Sequence, residues 1–198
     1  MTHKLTHLCV CVSGGGTNCE RLIQHFHAGD AARVVLVISN RADAYALVRA
    51  QRLGVETMVI DKAQLADPNY LRPILEEHGV DAVVLAGFLL MAPDWLIEAY
   101  PRRIINLHPA LLPKFGGKGM WGHHVHEAVH AAHETETGFT VHHVTAVCDG
   151  GEIIAQRRVA LLPTDTPDDI AAREHELEMA YFPLIVDEWL QNWQKTRE

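Results

Sequence analysis

The sequence predicts an α/β fold, a doubly wound and mostly parallel sheet of about seven strands with helices on both faces. Short runs rich in Val, Ile and Leu alternate with helix-like segments through the first half of the chain. After Asn106 the alternation gives way to a loop rich in Gly and Pro, then one helix, two strands and a long amphipathic helix.

Strands are predicted over 7–13, 33–39, 56–60, 82–85 and 103–107, short apolar runs of the kind buried on both faces of a sheet. Helices are predicted between them over 17–27, 43–53, 68–78 and 93–100. A repeat of this kind places the strands parallel. The apolar run after Met1-Thr2-His3-Lys4 is short and passes into Gly14 with no small-residue cleavage site, so it reads as a strand and not as a signal peptide. Downstream, 108–122 is loop, 123–133 a helix, and 139–145 and 152–159 are two strands that add antiparallel to the sheet. Thr166-Pro167-Asp168-Asp169 supplies an N-cap, a proline at the first helical position and acidic first-turn residues, and so opens a helix toward Trp193. No linker or internal repeat divides the chain, and 1–198 is expected to form one domain.

With 198 residues, 48% hydrophobic and 21% charged, the chain can bury a substantial core, and no stretch is apolar enough for a membrane span. The formal charge of −8, with Lys and Arg gathered into no stripe, argues against a nucleic-acid partner. A small anionic metabolite stays compatible, because backbone N–H groups at a helix terminus hold phosphate without basic side chains. Cys9, Cys11, Cys19 and Cys148 form no C-x-x-C pair and no zinc spacing, which favours reduced thiols and a cytoplasmic protein. Cys9 and Cys11 would lie about 6.6 Å apart on one strand face with parallel side chains, at the edge of disulfide reach, and read as small buried hydrophobes. His126, His130 and His133 share one face of the predicted helix. Without an H-E-x-x-H pattern or a carboxylate or thiol partner they read as a partly exposed face, and no metal is expected.

Ser13-Gly14-Gly15-Gly16-Thr17-Asn18 joins the first strand to the first helix, where free N–H groups and the positive helix end suit a phosphate. A structural turn needs only one or two glycines. The loop lacks the Gly-Lys-Ser/Thr of a P-loop, and Cys19 stands where the dinucleotide fingerprint takes a small residue. Asn106-Leu107-His108-Pro109 ends the fifth strand, and alternation sends Asn106 and His108 to one face at the carboxyl edge, where open α/β sheets bind ligands. Pro109 stops the ladder, so His108 projects into the crevice. Cys148-Asp149-Gly150-Gly151 lies between the last two strands and by itself reads as a hairpin turn of the Asp-Gly type. Beside His108 it gains chemical interest.

These segments resemble the glycinamide ribonucleotide formyltransferase family over nearly all the chain, from the glycine loop to Glu178. The resemblance rests on that loop, on Leu85-Ala86-Gly87-Phe88, on Ile105-Asn106-Leu107-His108-Pro109-Ala110-Leu111-Leu112-Pro113-Lys114, and on Val141-His142 followed by Asp149-Gly150-Gly151. It implies transfer of the formyl group of 10-formyltetrahydrofolate, a cosubstrate with no tightly bound cofactor beside it, to the amine of 5'-phosphoribosylglycinamide in de novo purine (IMP) synthesis. By the same resemblance Asn106, His108 and Asp149 fall on the catalytic trio and His142 on a supporting histidine. Gly16, Thr17 and Asn18 fall on the substrate phosphate, and Gly87, Leu89, Pro109 and Glu178 along the ribosyl-glycinamide. Leu90, Met91, Ala92, Val144 and Thr145 fall in the folate pocket. Some members carry Arg in place of Leu90 and Gln in place of His175, and the loop over 115–122 is like a longer variant found within the family.

In the chemistry so implied, a neutral amine attacks the formyl carbon, the oxygen becomes anionic, and the folate nitrogen leaves with a proton. His108, its pKa raised by Asp149, is expected to be charged and to stabilise the oxyanion with Asn106, while Asp149 helps move the proton. The partners are small molecules, and the sequence sets no oligomeric state. A formyl-folate hydrolase on the same fold would lack the phosphate loop. A formyltransferase acting on aminoacyl-tRNA would add an RNA-binding domain and a basic surface, and a non-catalytic phosphometabolite-binding module would leave Asn106, His108 and Asp149 without purpose.

Overall fold

The computed structural model describes residues 5–195, so the reading of Met1-Thr2-His3-Lys4 lies outside the described residues. The strands are β1 (Thr6–Val12), β2 (Ala32–Ser39), β3 (Glu56–Val59), β4 (Ala82–Ala86), β5 (Ile104–His108), β6 (Glu136–His143) and β7 (Ile153–Ala160). The helices are α1 (Thr17–His27), α2 (Tyr45–Arg52), α3 (Lys62–Ala66), α4 (Pro68–Glu77), α5 (Asp94–Ala99), α6 (His123–Ala131) and α7 (Pro167–Lys195). The strands make a seven-stranded sheet in the order β3-β2-β1-β4-β5-β6-β7. Pairings among β1 to β5 are parallel, and β6 and β7 add antiparallel. The α/β sheet with helices on both faces is as the alternation predicts.

Period-2 alternation gives each central strand to two layers at once. Leu8, Val10 and Val12 of β1 pack on one face with Leu22, Ile23 and Phe26 of α1 and with Phe182, Val186 and Trp189 of α7. Cys9 and Cys11 face the other layer with Leu36, Leu71, Leu75 and Leu96, as buried free thiols. On β5 the same alternation puts Ile105 and Leu107 in the α1–α7 layer. Ile104 belongs to the opposite layer, and this phase carries Asn106 and His108 to its side of the sheet.

The structure departs from the sequence reading in four places. Helix α3 was not expected, although Asp61 and Gln64 form a complete capping box at its start. Strand β6 begins at Glu136, ahead of the predicted 139, because Gly138 continues the strand instead of breaking it: a Cβ there would lie 1.8 Å from the Arg157 carbonyl oxygen of β7. Helix α6 stops at Ala131, so His133, at φ +51°, is off the helix and the expected three-histidine face does not form. Finally, β6 and β7 are joined by 144–152, a connection too long for the tight Asp-Gly hairpin.

The chain reverses its strand order beside β1, which lies between β2 and β4. The loops after β1, β4 and β5 all leave the carboxyl edge next to this switch point, where such sheets hold ligands.

Candidate active site

Asn106 of β5 lies directly opposite His142 of β6, and His108 opposite Thr140. All four therefore share the sheet face set by the alternation of their strands. The long connection after β6 folds over this face and delivers Asp149 between the two histidines. Asp149 Oδ2 lies 3.6 Å from His108 Nδ1, and its Oδ1 lies 3.6 Å from His142 Nε2. His142 Nδ1–H donates to the His143 carbonyl at 2.9 Å, leaving Nε2 to accept from Asn106 Nδ2 at 3.0 Å. His108 Nε2–H donates to the Phe115 carbonyl at 2.8 Å, and the Gly117 N–H donates to Asp149 Oδ2 at 2.8 Å. Asp149 itself adopts φ +52°, a left-handed conformation uncommon for a residue with a side chain.

The expected elevation of the His108 pKa is not found. Burial pushes it below the ordinary value, and this outweighs the opposing pull of the Asp149 charge and the Phe115 carbonyl. The resting imidazole is therefore neutral at neutral pH. Burial also acts to raise the Asp149 carboxyl, but the adjoining His142 ring, the Gly117 N–H and the nearby His108 together hold it below the usual carboxylate range. The resting site thus pairs an ionised carboxylate with a neutral histidine whose nearer nitrogen carries a lone pair.

The glycine loop opens at the same edge. Gly14 and Gly15 are exposed, and Gly16, at φ +76°, caps α1 with no side-chain hydrogen bond to the helix. A Cβ on Gly16 would stand 2.3 Å from the Ala46 Cβ, so close approach to α2 demands glycine there. Ser13 Oγ donates to Asn40 Oδ1 at 2.5 Å and accepts the Leu89 N–H at 2.8 Å, tying the loops after β1 and β4 together. Asn18 Nδ2 donates to Glu178 Oε2 at 2.7 Å, which joins the glycine loop to α7.

A family model described as formyl transferase matches residues 6–186. The chain belongs to the formyl transferase family. It is 34% identical to the phosphoribosylglycinamide formyltransferase of Haemophilus influenzae, over 90% of this chain and 84% of that protein. It is 38% identical to the chloroplastic phosphoribosylglycinamide formyltransferase of Arabidopsis thaliana over 91% of its own length, and spans 65% of that relative. The crystal structure of the phosphoribosylglycinamide formyltransferase from Anaplasma phagocytophilum superposes with a TM-score of 0.86 at 34% identity, covering 96% of this chain and 89% of that one.

Other predicted site residues of this formyl transferase are distributed unevenly. Gly87, at φ +75°, Leu89 and Met91 are exposed on the loop after β4 that the Leu89 N–H ties to Ser13, and Pro109 is half-buried next to His108. Leu90 packs its side chain toward the core and Ala92 is buried in it, so a ligand would meet Ala92 through its main chain. Val144 and Thr145 are half-buried at the start of the connection carrying Asp149. Among the described residues no group of three or more His, Cys, Asp or Glu is placed to hold a metal ion, and no helix is long and apolar enough to cross a membrane.

Sequence reasoning missed the residues that hold the loop after Pro109. Thr140 Oγ1 donates to the Ala110 carbonyl at 2.6 Å and accepts the Leu112 N–H at 3.0 Å, and Gln156 Nε2 reaches both the Leu112 carbonyl and Thr140. The signal was available, since alternation puts Thr140 on the face of His142. It also missed Glu174, one turn before Glu178 on α7 and only 3% exposed, with Oε1 lacking a partner among the described residues. Burial, then the neighbouring Glu178, hold the Glu174 carboxyl well above its ordinary pKa. A group whose folded pKa is raised contributes stability that is complete below the unfolded pKa and is lost as pH rises toward the folded one. Glu174→Gln should therefore melt progressively higher relative to the parent as the pH rises above the ordinary carboxylate range, by roughly 2–4 °C for each kcal/mol of difference. A melting difference that does not change with pH contradicts this placement of the proton.

Proposed function

We propose that this formyl transferase is a phosphoribosylglycinamide formyltransferase, carrying the formyl group of 10-formyltetrahydrofolate to the amine of 5'-phosphoribosylglycinamide in purine synthesis. The observation that carries the reading is the convergence of Asn106, His108 and Asp149 on one sheet face, beside a glycine loop fit for a phosphate. The likeness to phosphoribosylglycinamide formyltransferases over nine-tenths of the chain supports it.

In this reading Gly16, Thr17 and Asn18 hold the substrate phosphate with main-chain N–H groups of the first turn of α1, which lack partners within the helix. Gly87, Leu89 and Pro109 line the ribosyl-glycinamide, and Glu178, 7% exposed, accepts from a ribose hydroxyl. Leu90, Met91, Ala92, Val144 and Thr145 flank the folate, which enters and leaves as a cosubstrate with no other cofactor retained. The amine nitrogen bonds to the formyl carbon and the C=O pair moves to oxygen, which Asn106 Nδ2–H meets as a neutral donor. The amine's surplus proton passes to the slot between Asp149 Oδ2 and His108 Nδ1, directly or through a water. The resulting imidazolium, beside its carboxylate, adds positive charge for the oxyanion; the oxyanion pair then re-forms C=O as the bond from that carbon to the folate nitrogen breaks, and the same proton goes to the departing nitrogen.

Asn18 orients Glu178 through the 2.7 Å hydrogen bond, so Asn18→Ala should raise the KM for the phosphoribosyl substrate about tenfold and leave kcat within about threefold. Steady-state kinetics with that substrate varied check this, and an unchanged KM removes Asn18 from the binding scheme. The function itself is tested by following folate product spectroscopically from 10-formyltetrahydrofolate with and without phosphoribosylglycinamide. Release that needs the amine supports the transferase. Release without it makes the chain a hydrolase, and none in either case leaves a binding module.

A further inference from the structure

His108 and Asp149 arrive from different parts of the sheet, yet one short peptide touches both. The Phe115 carbonyl accepts from His108 Nε2 at 2.8 Å, and two residues later the Gly117 N–H donates to Asp149 Oδ2 at 2.8 Å. Gly116 lies between them, packed so closely that a Cβ would stand 2.4 Å from Leu112 Cδ2 and 3.4 Å from the Asp149 Cβ. Phe115 and Gly117 both hold positive φ, +54° and +91°, and this bend turns one carbonyl and one N–H of the same strand of chain toward the pair.

We propose that the Phe115–Gly117 peptide is a positioning element for the His108–Asp149 pair, fixing the histidine proton on Nε2, and that Gly116 is the residue permitting it. A carbonyl oxygen only accepts, so its contact with a neutral imidazole requires the single ring proton on Nε2. Nδ1 is then a lone pair 3.6 Å from the carboxylate, and the space between two acceptors awaits a proton. Without the Phe115 carbonyl, the imidazole would put its proton on Nδ1 and donate it to Asp149. The slot would be filled before the amine arrived. The main chain thus opposes the arrangement that the bare pair would adopt, and keeps the acceptor empty in the resting state. The effect on rate rests on the function proposed above; the position of the proton does not.

The test is nitrogen-15 spectroscopy of the histidine rings in the full chain at neutral pH, with His108 assigned by its loss in His108→Asn. The proposal expects the His108 proton on Nε2. Gly116→Ala should shift the ring toward the Nδ1–H form and lower kcat at least about tenfold, part of the 10²–10⁴ that positioned proton transfer supplies, with both KM values within about twofold. Adding Leu112→Val to Gly116→Ala removes the atom the new methyl would strike, and should return both the proton position and most of the turnover. A parent protein with its His108 proton on Nδ1 overturns the proposal whether or not the variants fold, as does Gly116→Ala with parental ring and parental kcat. Absence of formyl transfer by the parent would instead count against the function alone.

Discussion

Replacing His108 with alanine is expected to lower kcat by roughly 10²–10⁴, while the KM of each substrate stays within about threefold. The ring is almost wholly buried and touches the sheet, Phe115 and Asp149, so its removal takes away the proton slot and the charge that forms there. It also leaves the Phe115 carbonyl without its donor, and a loss of fold must be separated from a loss of chemistry. His108→Gln addresses this, since its amide nitrogen has the reach of Nε2 and can still donate to that carbonyl but cannot take up a proton at neutral pH. Both variants should be slow and only the alanine variant markedly less stable, as melting curves and single-turnover rates would show. Near-parental turnover in either one removes His108 from the mechanism.

Asp149→Asn is expected to slow transfer by about 10²–10³ at neutral pH, with the larger consequence in its pH profile. Burial alone would make this carboxyl hard to ionise, but His142, the Gly117 N–H and His108 reverse that and hold its pKa below the usual range. In the parent, the acid limb of kcat/KM should therefore lie below the ordinary histidine value, because burial pushes His108 below it while Asp149 stays ionised. In the amide variant the carboxylate charge that pulls the His108 pKa upward is gone, and the limb should move to lower pH. A limb retained unchanged in Asp149→Asn assigns the titration to another group.

The parts of the fold written in local pattern were legible in the sequence, and the parts that depend on burial were not. Strand–helix alternation and the capping signature at Thr166 place β1 to β5 and α7 closely, because period and caps are properties of neighbouring residues. Helix α3 carried an equally local signal in Asp61 and Gln64 that its shortness concealed. The pairing of Asn106 with His108 followed from alternation, and the opposition of Asn106 to His142 required only the register of β5 against β6. The path of Asp149 was different. An Asp-Gly pair marks a tight hairpin and a longer loop equally, and only the packed chain shows 144–152 folding over the sheet face. The charge of His108 illustrates the same divide. Proximity to an aspartate predicts a raised pKa, and only the packed surroundings reveal that desolvation prevails. The Phe115 and Gly117 contacts, being main-chain groups, leave no side-chain signature beyond the glycines themselves.

The central claim, that Asp149 and His108 move the proton of an amine attacking a formyl carbon, is tested most directly by single-turnover transfer from carbon-13-labelled 10-formyltetrahydrofolate in the parent and in Asp149→Asn. The label should appear on the amine of phosphoribosylglycinamide in the parent, and should arrive there at least about 10²-fold more slowly in a variant that still binds both substrates. Label released as formate by the parent, or transferred by the variant at the parental rate, would contradict the account.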